Sequence, residues 1–251
     1  MTDRTTVDPD GATARDLAEA LRAMRDYPGL TRALIDPVTS DDDKAALIDR
    51  VFAGLCTGAR AALKESAARE WKSTNQYLAE METLSVNAVW QWAETAGDVS
   101  ASLDDLFSFG QLVAHNHEVR RAVTDRNAGL TGRQDLVRTL LAGRVTEPAL
   151  QLALASVASR AGTIDEVLRA FQQIGADRMG ARLAVVTVAK PMPTEQKLRL
   201  GAALTEHFAT KIIIQEIVDP EVLGGIRVES GAEVIDSTMA ARLKTARRDF
   251  A

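Results

Sequence analysis

Along most of this chain apolar residues recur at intervals of three and four, the period of a helix with one buried face. Leu17, Ala20, Leu21 and Met24 mark the first such face. Tyr27-Pro28-Gly29 ends it, since proline removes a backbone donor and glycine frees the chain to turn. Leu30, Ala33 and Leu34 carry a short second helix. Beyond Asp36-Pro37, Ser40 and Asp43 form a capping box, and three aspartates stand in the first turn, where the helix dipole favours them. Leu47, Ile48, Val51 and Phe52 follow, with Gly54 as a C-terminal stop.

The same arrangement then recurs. Adding 89 to each number takes Leu17 to Leu106, Arg32 to Arg121, Ala33 to Ala122, Asp36 to Asp125, Leu47 to Leu136 and Gly54 to Gly143. It also takes Thr57 to Thr146 and Leu63 to Leu152, and exchanges apolar for apolar at Met24/Val113, Leu34/Val123 and Ile48/Val137. A constant register with this kind of exchange marks a duplicated helical unit. The second copy is the more complete, with six predicted helices. Val86, Val89, Trp90 and Ala93 share a face ending near Gly97. Leu103, Leu106, Phe107, Phe109 and Val113 mark the next helix, and Asn116 to Thr124 a short one. Thr131 with Gln134 is expected to cap the Leu136–Leu141 helix, Thr146 opens one through Leu150, Leu154 and Val157, and Thr163 with Glu166 boxes a last one through Phe171.

At Arg182 the period changes from helical to extended. Leu183 to Val188 is a β-branched run, followed by a Pro191/Pro193 loop, a helix over 194–208 and a second β-rich run from Ile212 to Val218. Strand, helix, strand reads as a crossover between buried parallel strands. Asp219-Pro220 closes it, Gly224-Gly225 permits a turn, and 226–229 and 233–236 alternate around Ser230-Gly231 as a hairpin. A final helix would carry Met239, Leu243, Ala246 and Phe250 on one face. The fold class is therefore mainly α with a small α/β domain. A partial helical bundle over 1–75 and a six-helix bundle over 76–181 precede a C-terminal βαβ-hairpin-α domain over 182–251.

Composition narrows the function. The net charge of −5 and pI near 5.4 argue against a nucleic-acid footprint. Basic and acidic residues balance beyond residue 182, so the excess acid belongs to the helical part. The single cysteine, Cys56, excludes an intramolecular disulfide framework and reads as a small buried hydrophobe. With no apolar leader core and no long apolar window, a cytoplasmic chain is expected, associated with a membrane only through a partner.

Candidate chemistry is sparse. There is no phosphate-loop sequence and no G-x-G-x-x-G after a strand, and Gly224-Gly225 precedes a strand, not a helix N-terminus. In His115-x-His117 the two residues do not share a helix face, and the pair falls where the first copy has Asp26-x-Pro28, so a surface turn is expected. His207 reads as a helix-end residue and Trp90 as core packing, while Trp71 and Trp92 are candidates for packing or partner contact. No catalytic residues, metal ligands or cofactors are expected. From the residues alone, a helical-repeat adaptor or a small enzyme on the βαβ unit remain alternatives.

The C-terminal stretch decides between them. Asp219, Leu223, Gly224, Gly225, Ile226, Ile235, Asp236, Arg242 and Leu243 stand in an order that resembles the signature of the δ subunit of F-type ATP synthases, the family of the oligomycin sensitivity-conferring protein. Asn116, Glu118 and Arg120 match that family's Asn-x-Glu-x-Arg run, and the doubled N-terminal region resembles actinobacterial members. The resemblance implies a non-catalytic peripheral-stalk subunit at the cytoplasmic face of the cell membrane, one copy per complex. It implies α subunits and a b-type stalk subunit as partners, the stalk resisting rotor torque during proton-driven ATP synthesis. It further implies a groove for an α N-terminal segment between the bundle's first and fifth helices, here Val86, Val89, Trp90 and Ala93 on one and Leu150, Leu154 and Val157 on the other.

Overall fold

The computed structural model describes residues 11–222, 224–231 and 233–236. Leu223 and the expected final helix, with Arg242 and Leu243, lie outside them. The chain divides into two compact units, Met1–Phe171 and Gln172–Ala251.

The first unit is helical: α1 (Ala12–Asp26), α2 (Pro28–Ile35), α3 (Asp41–Val51), α4 (Thr57–Ala67), α5 (Thr74–Ala96), α6 (Val99–His115), α7 (His117–Thr124), α8 (Leu130–Leu141), α9 (Glu147–Ala158) and the first part of α10 (Ile164–Arg178). Leu17, Leu21, Met24, Leu34, Ile48, Leu63, Tyr77 and Met81 form the core of the first copy. In the second, Trp90, Leu103, Leu106, Phe109, Val113, Val137, Leu152 and Phe171 are buried.

Matching hydrogen bonds tie each copy together. Asp16 accepts from the backbone N–H of Cys56, and Asp105 from that of Thr146, at 2.6 and 2.7 Å. Thr13 meets Cys56 as Ser102 meets Thr146. Lys44 Nζ donates to the Ala67 carbonyl at the end of α4, and Arg133 Nη1 to the Val157 carbonyl at the end of α9. Ser73 caps α5 through Gln76 N–H as Thr163 caps α10 through Glu166 N–H. These pairs correct the expected constant register. Thr13/Ser102, Asp16/Asp105 and Lys44/Arg133 differ by 89, whereas Cys56/Thr146, Ala67/Val157 and Ser73/Thr163 differ by 90. One residue is gained in the turn before the fourth helix of the copy. Turns absorb insertions because little packing depends on their length.

Two local expectations also change. Cys56 is half-buried against the first core and is the N-cap of α4, its Sγ accepting from Ala59 N–H in the place of the Thr146 hydroxyl. α8 begins at Leu130 after Gly129 with no side-chain cap, and Gln134 reaches instead to the Leu154 carbonyl. The fifth helix has the largest consequence. Residues 75 and 76, where the sequence pattern divides the copies, lie in the first turn of α5, one unbroken helix of 23 residues. Its Tyr77 and Met81 enter the first core, and its Val86, Val89, Trp90 and Ala93 are buried on the second copy's side.

In the second unit a four-stranded sheet has the order β2-β1-β3-β4, from β1 (Ala181–Val188), β2 (Lys211–Val218), β3 (Ile226–Ser230) and β4 (Glu233–Asp236). β1 and β2 are parallel, joined through α11 (Thr194–Phe208), and the β3–β4 hairpin pairs antiparallel with the other side of β1. Ala184, Val186, Val188, Leu204 and Val228 make the core with Phe208, Ile212 and Ile214. β1 is the buried central strand expected. β2 is an edge strand with mostly half-buried side chains, because the hairpin takes the free side of β1 and leaves β2 outermost.

Candidate partner-binding surfaces

The seven residues expected to line a receiving groove fall on α5 and α9. Val86, Val89, Trp90, Ala93, Leu154 and Val157 are buried within this chain, none more than 4% exposed, and Leu150 alone is half-buried. Trp90 is fixed further: its indole N–H donates to the Phe171 carbonyl at 2.9 Å. The opposite side of α5 is polar, with Thr83, Asn87 and Gln91 bonded along the helix. Helical spacing identifies the inward face correctly, but spacing alone does not separate a residue closing its own core from one left open for a partner.

Near the expected groove the first copy reaches onto the second. The Arg25 guanidinium donates to Glu82 Oε2 at 2.8 Å and to the Ala158 carbonyl, the last of α9, at 3.0 Å. Burial pulls the Arg25 pKa down, Glu82 opposes that shift, and Arg160 adds to it. Gly11 lies against the ring of Trp92, so that a Cβ there would sit 2.4 Å from it, and Arg15 stacks 5.5 Å from the ring centroid. No motif signals this contact.

The Asn-x-Glu-x-Arg run has a structural use. Asn116 caps α7 by accepting from the backbone N–H groups of Glu118 and Val119. Arg120 forms a two-pronged pair with Asp165 at 2.7 and 3.0 Å, tying α7 to α10, and its hydrogen bonds hold Asp165 below the usual carboxylate range. In the second unit the signature residues shape the turn before the hairpin. Asp219 N–H donates to the Val188 carbonyl while Asp219 Oδ1 accepts from Glu221 N–H. Gly224 and Gly225 have φ of 68° and 80°, a region open to glycine and strained for other residues. Ile235 and Asp236 lie on β4, both exposed. Glu216 is drawn below its ordinary value although burial alone would raise it, because Lys197 and the Met192 N–H bond to the carboxylate.

Among the described residues no group of three His, Cys, Asp or Glu side chains converges to hold a metal ion. His115 Nδ1 pairs with the Gln111 carbonyl, His117 opens α7 exposed, and His207 stands edge-on to Phe208. Trp71 donates to the Ser66 carbonyl and meets Tyr77 edge-to-face at 5.3 Å. Burial pushes the Tyr77 phenol up to about 12, partly offset by Ser66. Trp71, Tyr77 and Phe208 thus have ring partners within the chain.

The profile of the ATP synthase delta (OSCP) subunit family matches residues 86–250. The chain belongs to this family. It is 36% identical over 253 residues to the ATP synthase subunit delta of Streptomyces avermitilis, covering 100% of this chain and 92% of that one. To the subunits delta of Streptomyces coelicolor and Salinispora arenicola it is 34% identical, covering 100% and 96% of this chain and 92% and 88% of theirs. The profile begins inside α5, at the second copy, whereas the relatives align through the first copy as well. The family is one of structural, non-catalytic subunits, and this chain is accordingly a peripheral-stalk subunit of F-type ATP synthase. Membrane association is through that complex; no helix among the described residues is long and apolar enough to cross a membrane.

Proposed function

We propose that this subunit links the catalytic head to the stator. On this reading the helical part receives the N-terminal segments of α subunits, and the C-terminal α/β domain holds the end of a b-type stalk helix at the cytoplasmic face. Its mechanical task is to resist rotor torque, which calls for extensive burial of partner helices and no reactive side chains. What supports it is family membership along the whole chain combined with two separately cored units, each with a surface of its own. The α-segment surface is assigned to α5 and α9, with Leu150 as the side chain left partly open and the six buried residues fixing the helices beneath it. On this reading the chain comprises a partial helical bundle over 1–75, a six-helix bundle over 76–181 and a C-terminal α/β domain over 182–251, the first two joined through α5. Affinity purification of the full-length chain from detergent-extracted membranes is expected to recover one copy with α and b-type subunits. Recovery without either would overturn the assignment, and protection from added protease in vesicles exposing the cytoplasmic face would overturn the location.

A further inference from the structure

We propose that α1 is a splint, with Arg25 as its pin, that makes the two helical copies a single rigid body. α5 spans the junction without a proline or glycine from Thr74 to Ala96, so the helix has no built-in kink point. α1 runs antiparallel along the Glu82–Trp92 stretch of it, the stretch where the faces serving the two copies overlap and the copies join. Its N-terminal end covers Trp92 in the C-terminal half of α5, and its C-terminal end reaches Glu82 in the N-terminal half. Leu84 and Ala88, between them, pack on the first copy's core. Bending α5 at the junction would therefore pull α1 off one of its two footings.

Arg25 adds a third attachment by joining α1, α5 and α9. Arg25 and Glu82 are 11% and 10% exposed at their side chains, and among the described residues Glu82 Oε1 has no hydrogen-bond partner. A buried pair with an unsatisfied oxygen adds little net stability, but removing one member leaves the other charge stranded. The duplication isolates its role. Four of the bonds that build the first copy recur in the second, whereas Arg25 corresponds to the exposed Ala114 and Glu82 to Gln172, which bonds Gln215. Of the two Arg25 contacts, the one to the Ala158 carbonyl crosses from the first copy to the second, and Glu82 holds the guanidinium in place for it.

The proposed function explains why stiffness is useful, but the test needs only the purified full-length chain and is independent of assembly. Spin labels at Glu65 on α4 and Arg138 on α8, both exposed, are introduced on a Cys56→Ser background that keeps a hydrogen-bond acceptor at the N-cap. One narrow distance distribution is expected, broadened or split in Arg25→Met. Hydrogen exchange over 17–24 should be roughly a hundredfold faster in that variant. A broad distribution in the parent protein would refute the single body; an Arg25→Met distribution as narrow as the parent's would refute the pin. If Arg25→Met does not fold, Arg25→Lys, too short to hold both partners, must still broaden the distribution, and unchanged width there overturns the proposal.

Discussion

At the scale of single residues, what the sequence makes legible is backbone chemistry. Gly224-Gly225 reads as a turn from glycine's freedom alone, and both residues have positive φ. Gly225→Val keeps an exposed position but forces a β-branched residue to φ near 80°, and should lower stability by about 1–3 kcal/mol. An unchanged melting temperature would show the turn tolerates side chains. The capping boxes at Ser40 and Thr163 are equally local and equally legible. Cys56 was not, because a thiol as N-cap is a rare substitute for a hydroxyl and its apolar neighbours point to the core. Nor does sequence reveal Arg120–Asp165, whose partners lie on different helices. Asp165 titrates lower folded than unfolded, so this pair stabilises above the ordinary carboxylate pKa and loses that contribution as pH falls through the folded value. Arg120→Met should therefore melt below wild type at neutral pH, with the gap closing below about pH 4. A gap that persists in acid would mean that Arg120 acts through packing.

At the scale of elements, periodicity locates helices well and junctions poorly. The 194–208 helix and both hairpin strands lie where the pattern puts them. The shift of register from 89 to 90 escaped it, since one residue gained in a turn changes no apolar period. So did the continuity of α5, which carries two apolar faces at once: Tyr77, Met81, Leu84, Ala88 toward the first copy's core, and Val86, Val89, Trp90, Ala93 toward the second copy. The sequence reading names only the Val86–Ala93 face, because the Tyr77–Ala88 face is periodic over the other part of the same helix and overlaps it. The same ambiguity affects α9. Leu154 is 4% exposed, so Leu154→Glu buries an unpaired carboxylate and should cost on the order of 3 kcal/mol or more, seen as early thermal unfolding. Leu150→Glu, on the half-open position, should fold normally and weaken binding of an α N-terminal peptide. Normal binding by a folded Leu150→Glu chain would move the receiving surface away from α9.

For the whole molecule, the order of its parts was legible because repeat register, change of period and an ordered signature are all one-dimensional. How the copies share a helix is three-dimensional, and no spacing encodes it. This sharing makes the first copy part of the second copy's surface rather than an appendage. Tyr77 and Met81 are fully buried in the first core, and Leu84, Ala88 and Trp92 are partly covered on the same flank of α5. A chain beginning at Thr74 would retain every helix of the second copy and the whole C-terminal unit, yet leave that stripe facing water. Each fully buried Met-sized side chain so exposed forfeits roughly 1.5–3 kcal/mol of burial, and a contiguous apolar stripe drives association. The truncated chain should therefore elute as dimers or larger species in size-exclusion chromatography while keeping helical circular dichroism. Changing Tyr77, Met81 and Leu84 to glutamine or glutamate in that truncated chain should restore the monomer, since these side chains face the missing copy. A truncated chain that is monomeric without those changes would show that the second copy stands alone and that α5 does not depend on its cover.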